Sequence, residues 1–350
     1  MKDELQLVGP NDKILVTGAG GFIGLRLVEN LLNRGFRNLR CMIRPTGATG
    51  KLQESCAKYP SNTVEIFKGN LLNPKDCALA VKDAKVIFHL AAGTGEKSFP
   101  DAYMNSVVAT RNLLEAALKD GNLVRVVNVS SFTVYTNQSK SQGRLLDESC
   151  PVESRPEQRG DAYCYAKVKQ DELMTEYGRK YGLPYVIVRP GAVYGPGKRQ
   201  ITGRVGIGTF GIFLHLGGSN QIPFTYVDNC ADAIVLAGLK QGIDGEVFNV
   251  VDDDLPTSKN FLQLYKRHVK NFKSIYVPHV VSYLFCTGWE KYCEWSYGQL
   301  PPVFNRKRWH VEMKRTYYSN DKLKKQLAWT PRVPMNQGLD RLFNASREQV

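Results

Sequence analysis

Short, almost unbroken apolar runs recur through the first two-thirds of the chain. Between them, apolar positions fall three and four apart. KILVTG (13–18) is the first run, and behind it Phe22, Ile23, Leu27, Leu31 and Leu32 repeat at helical spacing until Gly35 stops them. LRCMIR (39–44), VEIFKGN (64–70), KVIFHLAAG (85–93) and LVRVVNVSS (123–131) read as further strands, with YVIVRPGAVYGPG (185–197) as a sixth and EVFNVVD (246–252) as one more. Helices are predicted over about 103–119, ended by Asp120-Gly121, and about 161–181, ended by Gly182. Strands apolar on both faces, alternating with helices, predict an α/β fold with a doubly wound parallel sheet. The alternation weakens after residue 197. We therefore expect 1–197, with 224–252 returning to it, to form one domain, and 198–223 with 253–350 to form a smaller C-terminal substrate lobe over the sheet's ligand-binding edge.

Composition adds little to this picture except in charge. The 350 residues carry a formal net charge of +14. Fourteen Lys/Arg but only four Asp/Glu lie between residues 259 and 325. A solvated basic face, an anionic substrate, nucleic acid and anionic lipid each fit that bias; no nucleic-acid partner is expected. The eight cysteines are scattered without a C-x-x-C, and the five histidines form no metal-ligand spacing. No metal is expected. With no apolar leader at the N-terminus, the chain suits a reducing cytoplasm.

Candidate chemistry starts at TGAGGFIG (17–24). Gly18, Gly21 and Gly24 stand three apart between the first strand and the first helix. Glycine suits a sharp turn, a close approach to pyrophosphate and tight helix–strand packing, and the helix N-terminus attracts an anion. This predicts a dinucleotide site. The second strand ends at Arg44 without the acid that would bind the ribose hydroxyls of NAD, so NADP(H) is favoured over NAD(H).

T-G-x-x-G-F-I-G resembles the fingerprint of the extended short-chain dehydrogenase/reductase family, the NAD-dependent epimerase/dehydratase superfamily, over about residues 12–345. That resemblance implies a Rossmann-type fold and a cofactor site at Gly18, Gly21, Phe22, Ile23 and Gly24. It adds Asn70 and Leu71 beside the adenine, where the family usually has an aspartate in place of Asn70, and the backbone of Ala91, Ala92 and Gly93. VRPGAVYGPG contributes Pro190 and Val193, and Asn105 matches the asparagine of the family's long helix.

Tyr-x-x-x-Lys occurs four times: Tyr163/Lys167, Tyr165/Lys169, Tyr194/Lys198 and Tyr318/Lys322. The spacing alone decides nothing. By resemblance the catalytic pair lies on the helix after the fifth strand, with a small residue before the lysine, which selects Tyr163 and Lys167 behind Ala166. A lysine one turn away, together with the cofactor's positive charge, is expected to lower the phenol's pKa toward neutrality. Ser131, in NVSSFTVY, matches the serine that bonds the reacting oxygen, with Ser130 second.

Together these residues imply an NAD(P)-dependent oxidoreductase that moves hydride between the nicotinamide and a carbonyl or secondary alcohol. The alternative is a nucleotide-sugar epimerase with tightly held NAD, and a lesser one is a non-catalytic cofactor sensor. Phe132 and Thr133 stand where dehydratases of the family carry acids. Ile222-Pro223-Phe224 lacks the epimerase arginine, for which Arg199, Arg204 or Arg306 is a candidate substitute. The C-terminal stretch 300–334 resembles the hydroxysteroid dehydrogenase and dihydroflavonol reductase branch, implying a small, partly hydrophobic substrate. The aromatic-rich segment 277–298 reads first as a core helix of the small lobe and second as a membrane contact. A homodimer through the two long helices is the family expectation.

Overall fold

A computed structural model describes residues 6–59, 63–93, 98–136, 145–198, 201–297, 299–300 and 303–347. Seven parallel strands form the main sheet: β1 (Ile14–Thr17), β2 (Asn38–Ile43), β3 (Thr63–Lys68), β4 (Val86–His89), β5 (Arg125–Val129), β6 (Tyr185–Pro190) and β7 (Val247–Val250). Their order is β7-β6-β5-β4-β1-β2-β3, so the strand order reverses between β1 and β4, where such sheets bind ligands.

Both faces of the sheet are dry. Ile14 and Val16 of β1, Val86 and Phe88 of β4, and Val186 and Val188 of β6 face one apolar cluster. Their neighbours Leu15, Ile87 and Ile187 face the other. The two-residue period of a strand thus feeds two cores at once. Helix α1 (Phe22–Asn33) and helix α4 (Val227–Leu239) pack together over the first face. Helices α2 (Ala109–Asp120) and α3 (Ala162–Tyr181) lie over the second. The first cluster also takes in Leu323, Trp329, Leu339 and Phe343 from the C-terminal segments.

Two expected elements differ in form. The predicted helix over 103–119 begins as a wide π turn, Tyr103–Val108, before becoming α2. Inside it the Ser106 carbonyl accepts from Thr110 Oγ1 (2.6 Å) and Gln170 Nε2 (3.3 Å), side chains that compete for the backbone acceptor. The predicted sixth strand breaks at Gly191. A Cβ there would sit 2.2 Å from the Pro223 carbonyl oxygen, and Ala192 N donates to that same oxygen at 2.7 Å. Residues 192–194 therefore leave the main sheet and pair with Phe224–Tyr226.

Candidate active site

The glycine turn comes first because it sets the floor of the cleft. Gly18 has φ +70°, and a Cβ on it would lie 3.0 Å from Ala91 N. On Gly24 a Cβ would lie 2.2 Å from the Gly18 oxygen. No side chain fits at either position. Helix α1 has no side-chain cap and no acid in its first turn. The N–H groups at the start of α1, by the half-buried Phe22 and Ile23, thus stand uncapped at the positive end of the helix dipole, with Gly24 buried behind them. This cradle fits the pyrophosphate of a dinucleotide.

The other predicted cofactor residues line the same edge. Arg44 follows β2 directly, is exposed, and has no side-chain partner among the described residues. Asn70 uses its side-chain oxygen to accept from Leu72 N at 3.0 Å, while its backbone N donates to Asp76. Its amide N–H groups are what it can offer a base. The Leu71 carbonyl accepts from Asn112 Nδ2 at 2.9 Å. Pro190 ends β6, and the Val193 carbonyl accepts from Lys198 Nζ at 3.0 Å.

A buried chain of hydrogen bonds holds the Ala91–Gly93 segment against this turn. Thr110 Oγ1 donates to Ser106 O and accepts from Gln170 Nε2, so it accepts from His89 Nε2 (2.8 Å) as well. His89 Nδ1 then accepts from Thr17 Oγ1 at 2.8 Å, and Thr17 Oγ1 accepts from Ala91 N at 3.3 Å. Gly93 N donates to Ser106 Oγ at 3.0 Å. These bonds require a neutral imidazole protonated at Nε2, while Gln170 Oε1 is left without a partner among the described residues. Burial, with Lys167 nearby, presses the His89 pKa down to about 3. Asn105, half-buried on the π turn, neighbours this chain in sequence.

Tyr163 and Lys167 are set by the start of α3. Asp161 caps that helix, accepting from Tyr163 N at 3.0 Å and Cys164 N at 3.2 Å. The Ser131 side chain stands beside the Tyr163 phenol and acts to lower its pKa. Ser131 is fixed in turn, since its Oγ accepts from Thr133 N at 3.2 Å. Lys167 is buried, donates to the Val129 carbonyl at 2.7 Å, and lies 6.0 Å from the Tyr163 ring centre. One turn on, Asp171 accepts from Arg189 Nε (3.1 Å) and Asn128 Nδ2 (3.1 Å) in a buried ion pair.

The competing pairs sit in other surroundings. Tyr165 packs edge-on against Phe99 at 5.2 Å, and Lys169 pairs with Glu172 at 2.7 Å on the surface. Lys198 lies 5.8 Å from the ring of Phe22 at the start of α1, a proximity to the glycine turn that the sequence reading did not foresee. Tyr318 stacks on Phe132 at 5.7 Å, and Lys322 pairs with Glu246.

In the chain alone, without the cofactor's positive charge, burial pushes the Tyr163 pKa up to about 12, outweighing the influence of the Ser131 side chain. The Lys167 ammonium is drawn to the Val129 carbonyl and toward Asp171, and burial takes its own pKa down to about 8. Two further expectations find the following geometry. Thr133, at a dehydratase acid position, gives its carbonyl to the buried Arg159. Of the stand-in arginines, Arg204 bonds the Val311 carbonyl and Tyr318, Arg306 pairs with Glu290, and Arg199 lies outside the described residues.

A doubly wound sheet with a glycine turn after β1, and a serine, a tyrosine and a lysine in the segments after β5, fits a nicotinamide-dependent oxidoreductase of the extended short-chain type. The sequence profile of the NAD dependent epimerase/dehydratase family matches residues 14–250, and the chain belongs to that family. It is 26% identical over 354 residues to the sterol-4-alpha-carboxylate 3-dehydrogenase, decarboxylating, of Saccharomyces cerevisiae, covering 94% of this chain and 96% of that one. It is 30% identical over 256 residues to an uncharacterized UDP-glucose epimerase of Bacillus subtilis, covering 68% and 76%. In fold it matches a UDP-glucuronic acid 4-epimerase from Bacillus cereus, solved with UDP-glucuronic acid and NAD, at a TM-score of 0.71 and 24% identity over 97% of this chain and 100% of that one.

Proposed function

We propose that this chain reduces a carbonyl of a small, partly hydrophobic molecule, or oxidises the matching secondary alcohol, with NADP(H) preferred over NAD(H). The observation that carries the reading is the buried Lys167 ammonium, 6.0 Å from the Tyr163 ring, with the Ser131 side chain beside that phenol. A bound nicotinamide dinucleotide supplies or accepts the hydride.

The chain's own residues handle the proton and the oxygen. Ser131 and Tyr163 hold the substrate oxygen between two hydroxyls. With its pKa up at about 12, Tyr163 keeps its proton at neutral pH, which is the state needed to give that proton to a carbonyl oxygen as the carbon gains hydride. In the reverse direction Tyr163 must accept the alcohol proton. The Lys167 ammonium favours that phenolate only below its own pKa of about 8. Gly18, Gly21 and Gly24 leave room for the pyrophosphate, with Phe22, Ile23 and Gly24 donating from the start of α1. Arg44 would meet a 2′-phosphate.

The hydrophobic substrate class is supported by the yeast relative, whose name makes it a sterol carboxylate dehydrogenase. Of the two described candidate arginines for a diphosphate, Arg204 and Arg306 are both engaged, which gives the epimerase reading less support. The test is NADPH consumption by the purified chain with a panel of ketosteroids, aryl ketones and UDP-sugars. Turnover of an apolar ketone is expected. Interconversion of a UDP-sugar without net cofactor consumption would overturn the reading.

A further inference from the structure

The hydride chemistry gives the Tyr194/Lys198 pair no part, yet its lysine reaches the glycine turn. The backbone puts it there. After the break at Gly191, residues 192–194 run into Gly195-Pro196-Gly197, where the two glycines take φ of +150° and +98°. A Cβ on Gly195 would lie 2.8 Å from Val227 Cγ1 at the start of α4, so the loop passes that helix only as glycine. Lys198 N donates to the Gly195 carbonyl at 3.2 Å and closes the turn. The side chain then doubles back. Its Nζ donates to the Val193 carbonyl at 3.0 Å and lies 5.8 Å from the ring of Phe22, the first residue of α1.

Nothing among the described residues neutralises a cation in that place. One Nζ proton goes to a neutral carbonyl, and no described carboxylate pairs with the ammonium. The neighbouring helix end has no cap and no acid in its first turn. That end is itself positive, so it repels an ammonium. The Phe22 ring attracts a cation only weakly at this distance. Lys198 is open to solvent, yet the protein around it is dense enough to lower its pKa. This combination describes a charge on the wall of a cleft. Two positive groups left unneutralised beside each other make a place for an anion.

We propose that Lys198 is a pyrophosphate ligand: its ammonium and the N–H groups opening α1 hold the same phosphates of the nicotinamide dinucleotide. The inference rests on the dinucleotide reading of the glycine turn and adds a residue to it. The two cations of the cleft then have separate tasks. Arg44 serves a 2′-phosphate, which NADPH alone carries. Lys198 serves phosphates that NADPH, NADH and ADP-ribose share.

The test is titration of the parent chain and of Lys198→Met with those three ligands, by nucleotide fluorescence for NADPH and NADH and by calorimetry for ADP-ribose. Methionine keeps an apolar stem and removes the charge. Loss of a charged hydrogen-bond partner predicts binding about ten- to a hundredfold weaker for all three. Lys198→Arg, which keeps the charge, should retain most of the affinity. Added salt should weaken the parent more steeply than the methionine variant. Urea unfolding of both variants near the parent midpoint shows that they are folded. Equal affinities of the parent and Lys198→Met for NADH and ADP-ribose would overturn the proposal. So would a raised KM for the ketone at unchanged dinucleotide affinity, which would turn the ammonium toward the substrate. A parent chain that binds none of the three ligands would sink the dinucleotide reading itself, and this inference with it.

Discussion

Replacing Tyr163 by phenylalanine removes one oxygen and leaves the ring, so its effects on catalysis and on stability can be worked separately. The lost hydroxyl stands beside the Ser131 side chain. At most one hydrogen bond goes with it, a cost of about 0.5–1.5 kcal/mol of folding stability. If the hydroxyl also moves the substrate's proton, its loss removes a factor of roughly 10²–10⁴ in turnover, equal to about 3–5 kcal/mol at the transition state. Tyr163→Phe should therefore fold, bind NADPH nearly as before, and lose at least about a hundredfold in kcat. Tyr165→Phe is the control. Its ring packs on Phe99, which phenylalanine preserves, and kcat should stay within about twofold. The assays are urea unfolding, NADPH fluorescence titration and steady-state kinetics on whichever ketone the substrate panel identifies. A Tyr163→Phe enzyme keeping more than about a tenth of the parent kcat, or a dead Tyr165→Phe enzyme, would refute the choice of pair.

Three other outcomes follow from the same site. Arg44→Ala should raise KM for NADPH about tenfold and leave KM for NADH within about twofold, because only the 2′-phosphate needs the guanidinium; steady-state kinetics with both cofactors checks it. Asp171→Asn leaves Arg189 buried without a counter-charge and should cost about 3–5 kcal/mol in urea unfolding. It also removes a charge that raises the Lys167 pKa, so the alkaline limb of the pH–rate profile should move to lower pH. The folded chain keeps His89 neutral down to about pH 3, whereas the unfolded chain protonates it near pH 6.5. Between those values the unfolded state binds more protons, so stability is lost as pH falls through that window, by as much as about 5 kcal/mol from this residue. His89→Gln should flatten that part of the curve.

The sheet was legible because strands buried on both faces must be apolar throughout, and the glycine turn because a Cβ at Gly18 or Gly24 would collide with backbone. Tyr163 was chosen by its place on α3 rather than by spacing, which four pairs share, and the choice awaits the kinetic test above. What stayed hidden depends on distant partners. The break at Gly191 is imposed by the Pro223 carbonyl, and the widened turn at Tyr103–Val108 accompanies side chains of Thr110 and Gln170 that compete for the Ser106 carbonyl. The segment read first as a core helix, His279–Trp295, instead buries Ser282, Cys286 and Cys293 and leaves Leu284, Phe285 and Trp295 exposed; an apolar stripe says that a face is sticky, not which side a neighbour covers. The raised pKa of Tyr163 reflects burial, a quantity no residue spacing contains.

The most direct check is a crystal structure of the chain grown with NADP(H). The account predicts the pyrophosphate against the N–H groups of Phe22 and Ile23, the 2′-phosphate beside Arg44, and the nicotinamide ribose within hydrogen-bond reach of Lys167. Density for the dinucleotide anywhere else, or a nicotinamide ring turned away from Tyr163, would contradict it.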